Sequence, residues 1–202
     1  MMKNILNLAA LLVLLAPMGA QTTPITSAAA GLPAPETTID FGINLFNGQI
    51  ITTEFAGVTF GTSGSGWTYK TATQAPPNIV DGHLTTPADH TIAEFSVLFD
   101  TAVFEAMFNF KAFTGPQHIW TMSSWFEGVL VETIDFSNVS SQGLFYGFEN
   151  SLFDEIRFEN HNSGAGFEFD NLQFSSISEP GTLALLGLGL VGVGFGRRRK
   201  KA

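Results

Sequence analysis

Phenylalanine recurs at every second position in one stretch of this chain after another, and that spacing most constrains what the chain can fold into. In "VFEAMFNFKAF", Phe104, Ala106, Phe108 and Phe110 fall in step, and "EFSVLFD" keeps the same habit. "EIRFEN" sets Ile156 and Phe158 opposite Arg157 and Glu159. Successive side chains of an extended chain point to opposite faces, so this period of two marks strands buried on one side. "FEFDNLQF" puts Phe167 and Phe169 on one face and Leu172 and Phe174 on another, with an offset near Asp170 and Asn171. Helical spacing is sustained nowhere between Gly31 and Ser178.

Turn signals separate these runs: "FNGQ", "GTSGSG", "APPN", "VDGH", "TGPQ" and "NHNSGAG". A dozen or so short strands at this spacing predict an all-β fold of two packed antiparallel sheets, a β-sandwich or jelly roll. A single twisted sheet with a short helix at "SLFDEIRF" is the alternative. It ranks lower, because phenylalanine-rich strands need a second apolar layer to cover them. No period of 20 to 50 residues repeats, and "TIDF" at Thr38 and again at Thr133 is the one echo.

The two ends read differently from the body. Residues 1–20 carry Lys3, an apolar stretch from Ile5 to Ala16, then Pro17 and the small residues Gly19 and Ala20. That is the layout of a secretory signal peptide, with a cut expected after Ala20 or, as the alternative, near Ala28 to Ala30. Residues 21–35, rich in Ala, Thr and Pro, read as a disordered leader, and 36–177 as one domain. The span 181–196 has no charged residue and is followed by Arg197, Arg198, Arg199, Lys200 and Lys201. As a helix it would be roughly 24 Å long, short against a hydrocarbon core of about 30 Å. The basic run would stay on the cytoplasmic side and act as the stop of a membrane anchor, leaving the body outside.

The order of Ser178, Glu179 and Pro180, a Gly/Leu-rich span beginning "TLALLGLGL", and a terminal Arg/Lys cluster resembles the PEP-CTERM sorting signal of exported bacterial proteins. The resemblance covers about the last 25 residues, with Ser178 standing where the family has its first proline. It implies recognition of the Ser-Glu-Pro motif by an exosortase, a membrane-embedded transpeptidase, in a chain whose signal peptide a signal peptidase removes. It also implies a membrane-tethered intermediate with the body in the periplasm, then delivery to the cell surface or to a matrix of extracellular polysaccharide. Asp40-Phe41, Gly57-Val58-Thr59-Phe60 and Asp170-Asn171-Leu172 resemble the strand motifs of β-sandwich domains found ahead of such tails.

Charge and cysteine narrow the function classes. Between residues 21 and 177 the bases are Lys70, Lys111 and Arg157, and of the 18 acids in the chain only Glu179 lies outside, so the body carries a net charge of about −14. A surface of that sign repels phosphate backbones, which excludes nucleic acid as a partner. There is no cysteine, hence no disulfide, no thiolate metal site and no thiol nucleophile, and the exported fold rests on its core.

Catalytic patterns are weak. His83, His90, His118 and His161 lie apart without ligand spacing, and "GTSGSGW" lacks the nucleophile-elbow pattern. A carboxylate pair for glycoside hydrolysis is expected from abundance alone, so a secreted glycoside hydrolase ranks last. A structural calcium site has more support if first and last strands lie side by side, since Asp40, Asp170 and Asn171 would then offer hard oxygen ligands. The competing reading is that Asp170-Asn171 caps a bulge or turn through side-chain to backbone bonds. Trp67, Tyr69, Trp120, Trp125 and Tyr146 are the rings available for stacking on sugars. Trp67 and Tyr69 share a face beside the glycine-rich loop and are the pair expected to be exposed, although aromatic residues in strands usually belong to the core. The sequence thus predicts a non-catalytic exported surface or matrix protein, with a carbohydrate-binding module as the competing class.

Overall fold

The computed structural model describes residues 23–42, 45–62, 67–71, 82–85, 94–112, 119–137, 144–161 and 167–176. The signal-peptide segment 1–20 and the segment 178–202, with the expected hydrophobic helix, lie outside the described residues. The described residues are all-β, with twelve strands and no helix: β1 (Thr23–Ala28), β2 (Thr37–Ile39), β3 (Ile50–Ile51), β4 (Val58–Thr62), β5 (Trp67–Thr71), β6 (Gly82–Thr85), β7 (Glu94–Ala112), β8 (Ile119–Phe126), β9 (Val129–Ser137), β10 (Leu144–Glu149), β11 (Phe153–Asn160) and β12 (Phe167–Ser176). Every pairing among them is antiparallel.

The 19-residue β7 organises the fold, because its two halves belong to different ladders. Its first half lies between β4 and β11, and β11 continues to β8 and β9. Its second half lies between β10 and β12. β10 continues to β1, while β12 continues to β6, β5 and β3 and is flanked further along by β2. Rings from the two ladders meet: Phe95 lies 4.7 Å from Phe167 and Phe158 lies 5.1 Å from Phe108. Trp67 of β5 sits between them, its ring 5.1 to 6.2 Å from Phe60, Phe95, Phe158, Phe167 and Phe169 and steeply inclined to each. Edge-to-face contacts set the positive rim of one ring against the negative face of another, adding about 0.5–1.5 kcal/mol per pair beyond area burial. In a chain without cysteine, this aromatic core does the work that disulfides do elsewhere.

Three local features differ from the sequence reading or refine it. Asn171 has a left-handed φ of 54°, and the register moves from Asp170↔Asn109 to Gln173↔Met107. The offset in "FEFDNLQF" is therefore a β-bulge, which brings Leu172 and Phe174 back to the same core as Phe167 and Phe169 rather than to the opposite face. "SLFDEIRF" forms strand β11, not a helix, because Ile156 and Phe158 are both needed in the core. The expected disordered leader 21–35 contributes β1, which pairs with β10, and Leu32, which packs with Met107 and Phe145. Turn chemistry follows the sequence where "FNGQ" bends at Gly48 (φ 88°), with Gln49 N–H donating to the Phe46 carbonyl. Glu127 and Gly128, both with positive φ, make the two-residue turn of the β8–β9 hairpin.

Candidate functional site

Alternation places Glu168 and Asp170 on the face of β12 turned away from Phe167 and Phe169. Register sets Glu168 opposite Thr85 of β6 and Lys111 of β7, and Asp170 opposite Asn109 of β7. The Glu168 carboxylate lies 3.5 Å from His83 Nε2 and 3.2 Å from Lys111 Nζ. His83, Thr85, Asn109, Glu168 and Asp170 are all buried, and Lys70 stands opposite His83 in the β5–β6 ladder. Burial holds the Glu168 carboxyl above its ordinary range, and the Lys111 ammonium acts against that shift. Chemically this is an acid with an imidazole and an ammonium beside it. Glu168 and Asp170 are two residues apart on β12, about 7 Å along the strand. At 5% and 2% exposure, neither carboxylate is open to a polysaccharide in this structure.

A second polar face lies on the other ladder. β8 presents Thr121, Ser123 and Trp125 beside Glu155, Arg157 and Glu159 of β11, in register. The Arg157 guanidinium sits 4.1 Å over the Trp125 ring and is held there by both Glu155 oxygens, at 2.8 and 2.7 Å. These bonds raise the Arg157 pKa further. The Trp125 indole N–H donates to Ser123 Oγ at 2.8 Å. On the same face the Thr121 hydroxyl donates to Asp135 Oδ1 at 2.7 Å and lies 2.6 Å from His161 Nε2. Since a hydroxyl has one proton, His161 is the donor in the second contact.

The stacking pair expected from sequence is corrected. Trp67 is fully buried and Tyr69 is 3% exposed, because the face they share is the inward one. Trp120 and Tyr146 are buried too, which leaves Trp125 as the half-buried member of the five candidate rings. For the expected calcium ligands, β2 does pair with β12, and its last pair, Leu172 with Ile39, adjoins Asn171 on one strand and Asp40 on the other. There Asp40 Oδ1 accepts the Gly42 N–H at 2.9 Å and Asp170 Oδ1 accepts the Asn171 N–H at 2.7 Å, the second bond capping the bulge. No group of three or more His, Asp or Glu placed to hold a metal ion occurs among the described residues. His90 and His118 lie outside the described residues. The sequence reading missed the His83–Glu168–Lys111 array. Its one local sign was a charge flanked by core phenylalanines, Glu168 in "FEF" and Lys111 after "FNF".

At its far end β12 stops at Ser176. Residues 176–200 match the PEP-CTERM protein-sorting motif. The chain is a PEP-CTERM domain-containing protein. The PEP-CTERM segment contains Ser178, Glu179 and Pro180 and reaches into the basic run as far as Lys200. It marks an exported protein that an exosortase sorts to the membrane or cell surface. No curated protein matches the chain. Among solved structures the chain is similar to the enzymatically active domain of bacteriophage CBA120 tailspike protein 4, at 14% identity and a TM-score of 0.38. That alignment covers 65% of this chain and 21% of the tailspike chain.

Proposed function

We propose that this PEP-CTERM protein is a non-catalytic component of the cell surface or extracellular matrix, with a jelly-roll-like β-sandwich as its displayed part. The observation that carries the reading is that the sorting motif begins on Ser176, the last residue of β12, so whatever receives the processed terminus receives the folded body directly. A signal peptide at residues 1–20, a transient membrane span at 181–196 and the stop formed by Arg197 to Lys201 complete the route. Intact mass and C-terminal peptide mapping of the protein from cells that naturally make it test this. A mature chain ending near Ser178 to Pro180 is expected. A chain still ending at Ala202 in the membrane fraction would make the tail a permanent anchor.

The geometry of one ring favours a second reading, in which the body binds extracellular polysaccharide. Trp125 stands on a polar sheet face with Arg157, Glu155, Ser123 and Thr121, groups that hydrogen-bond sugar hydroxyls. The acidic residues around it select a neutral glycan over an anionic one. Retention of the purified body on an insoluble neutral glycan, lost in Trp125→Ala and kept in Phe46→Ala, is the outcome this reading requires.

A further inference from the structure

The last residues of β12 are held by a side chain from the segment that leads into β2. Glu36 Oε2 accepts two hydrogen bonds from Ser176, one from its N–H at 2.9 Å and one from its hydroxyl at 2.6 Å. These bonds lower the Glu36 pKa, so the clasp is charged at neutral pH. The contact is reciprocal, since Glu36 N–H donates to Ser175 Oγ at 3.3 Å, and Ser175 Oγ donates in turn to Glu105 Oε1 of β7 at 2.8 Å. Just before, Thr37 to Ile39 pair with Phe174 to Leu172, and Leu32 N–H donates to Gln173 Oε1 at 2.8 Å. The segment from Leu32 to Ile39 thus follows β12 to its final residue.

Ser178, the first residue of the Ser-Glu-Pro motif, comes two positions after Ser176, about 7 Å in an extended chain. An extended peptide seated in another protein's cleft makes its main-chain hydrogen bonds to that cleft. On the N-terminal side of this motif, one residue (Ile177) removed from it, lie Phe174 to Ser176, already bonded to β2 and β7. They can enter another cleft only after leaving β12, an opening of the strand end that competes with the bonds holding it.

We propose that Glu36 is a sorting clasp: by holding Ser176 in the body it limits how often the exosortase reaches the motif, and so ties the rate of processing to a folded domain with its N-terminal segment in place. The proposal rests on the reading of the tail as an exosortase substrate. The experiment is a pulse-chase of the full-length chain in cells that process it, following conversion to the shortened form. Glu36→Ala should be processed about five-fold faster than wild type, Ser176→Ala about two-fold faster, and Glu36→Gln at an intermediate rate, because the amide oxygen still accepts. Glu54→Ala is the control: it removes another exposed carboxylate bonded to a backbone N–H, that of Thr52, and should leave the rate unchanged. Hydrogen exchange at the Ser176 amide should rise in step with processing. If Glu36→Ala loosens that amide but is processed at the wild-type rate, the clasp is overturned and the sorting reading stands. If wild type itself is never shortened, both fall. Should Glu36→Ala fail to accumulate, Ser176→Ala, which keeps the bond to the backbone N–H, carries the same test.

Discussion

Each of the two ladders sets a cation beside a glutamate, and the two pairs obey different physics. Lys111 faces Glu168 across the β7–β12 ladder, with side chains 17% and 6% exposed, and His83 closes the other side. Arg157 reaches Glu155 two residues away on the same strand, stacked over Trp125 and less covered, with side chains 33% and 15% exposed. In water a pair gains little, because solvent screens both charges as well as either partner does. Out of water the carboxylate has lost its hydration, and the ammonium is what makes the ionised state tolerable. The body has three bases from residue 21 to 177, and the structure assigns two of them to these pairs. Composition cannot tell the two uses apart, whereas burial can.

The comparison breaks most easily at Lys111. Replacing it by Met strands the Glu168 carboxylate and should cost about 3 kcal/mol at neutral pH, read from urea unfolding, with much of the loss recovered by adding Glu168→Gln. A loss under about 1 kcal/mol would show that water reaches the pair. A smaller effect is expected with pH. Glu168 in the folded state keeps its proton to higher pH than in the unfolded chain. The folded state therefore binds more protons from about pH 4.5 up to the raised value, and stability falls as pH rises through that window. Carboxylates with lowered pKa, such as Glu36, produce the opposite slope, so the diagnostic is the difference between wild type and Glu168→Gln. The smallest effect belongs to the outer face. Arg157→Ala should cost less than about 1 kcal/mol, and 1 M salt should shrink that difference while leaving the Lys111 variant's deficit in place.

What was legible in the sequence, and what was not, follows from the range of the interactions. Alternation is local, and it correctly set Ile156 and Phe158 against Arg157 and Glu159 and kept Ala106, Phe108 and Phe110 in step, but Phe104 falls out of that set: Val103 takes the core position, where the β7–β12 register shifts. The sorting tail is local too. Alternation says which residues share a face but not which face turns inward, and Trp67 with Tyr69 fell on the wrong side of that ambiguity. The answer depends on a partner layer contributed by Phe95, Phe158 and Phe167, remote in sequence. The His83–Glu168–Lys111 array needs strands β6, β7 and β12 in register, and a slip by one residue would send each charge to the other face. The bulge at Asn171 is intermediate. Its offset was visible, but its effect, restoring Leu172 and Phe174 to the core, required the ladder with β7.

β12 is bonded along one side to β7 and along the other to β6 and then β2, and the sorting segment leaves from its end. If that end is fixed to the cell, any drag on the body enters through a strand held on both edges. Tension along the strand axis loads those hydrogen bonds in shear, sharing the force among many at once instead of opening them singly. Attachment through β12 would thus make a strand held by β7, β6 and β2 the mechanical link between the cell and whatever the body touches.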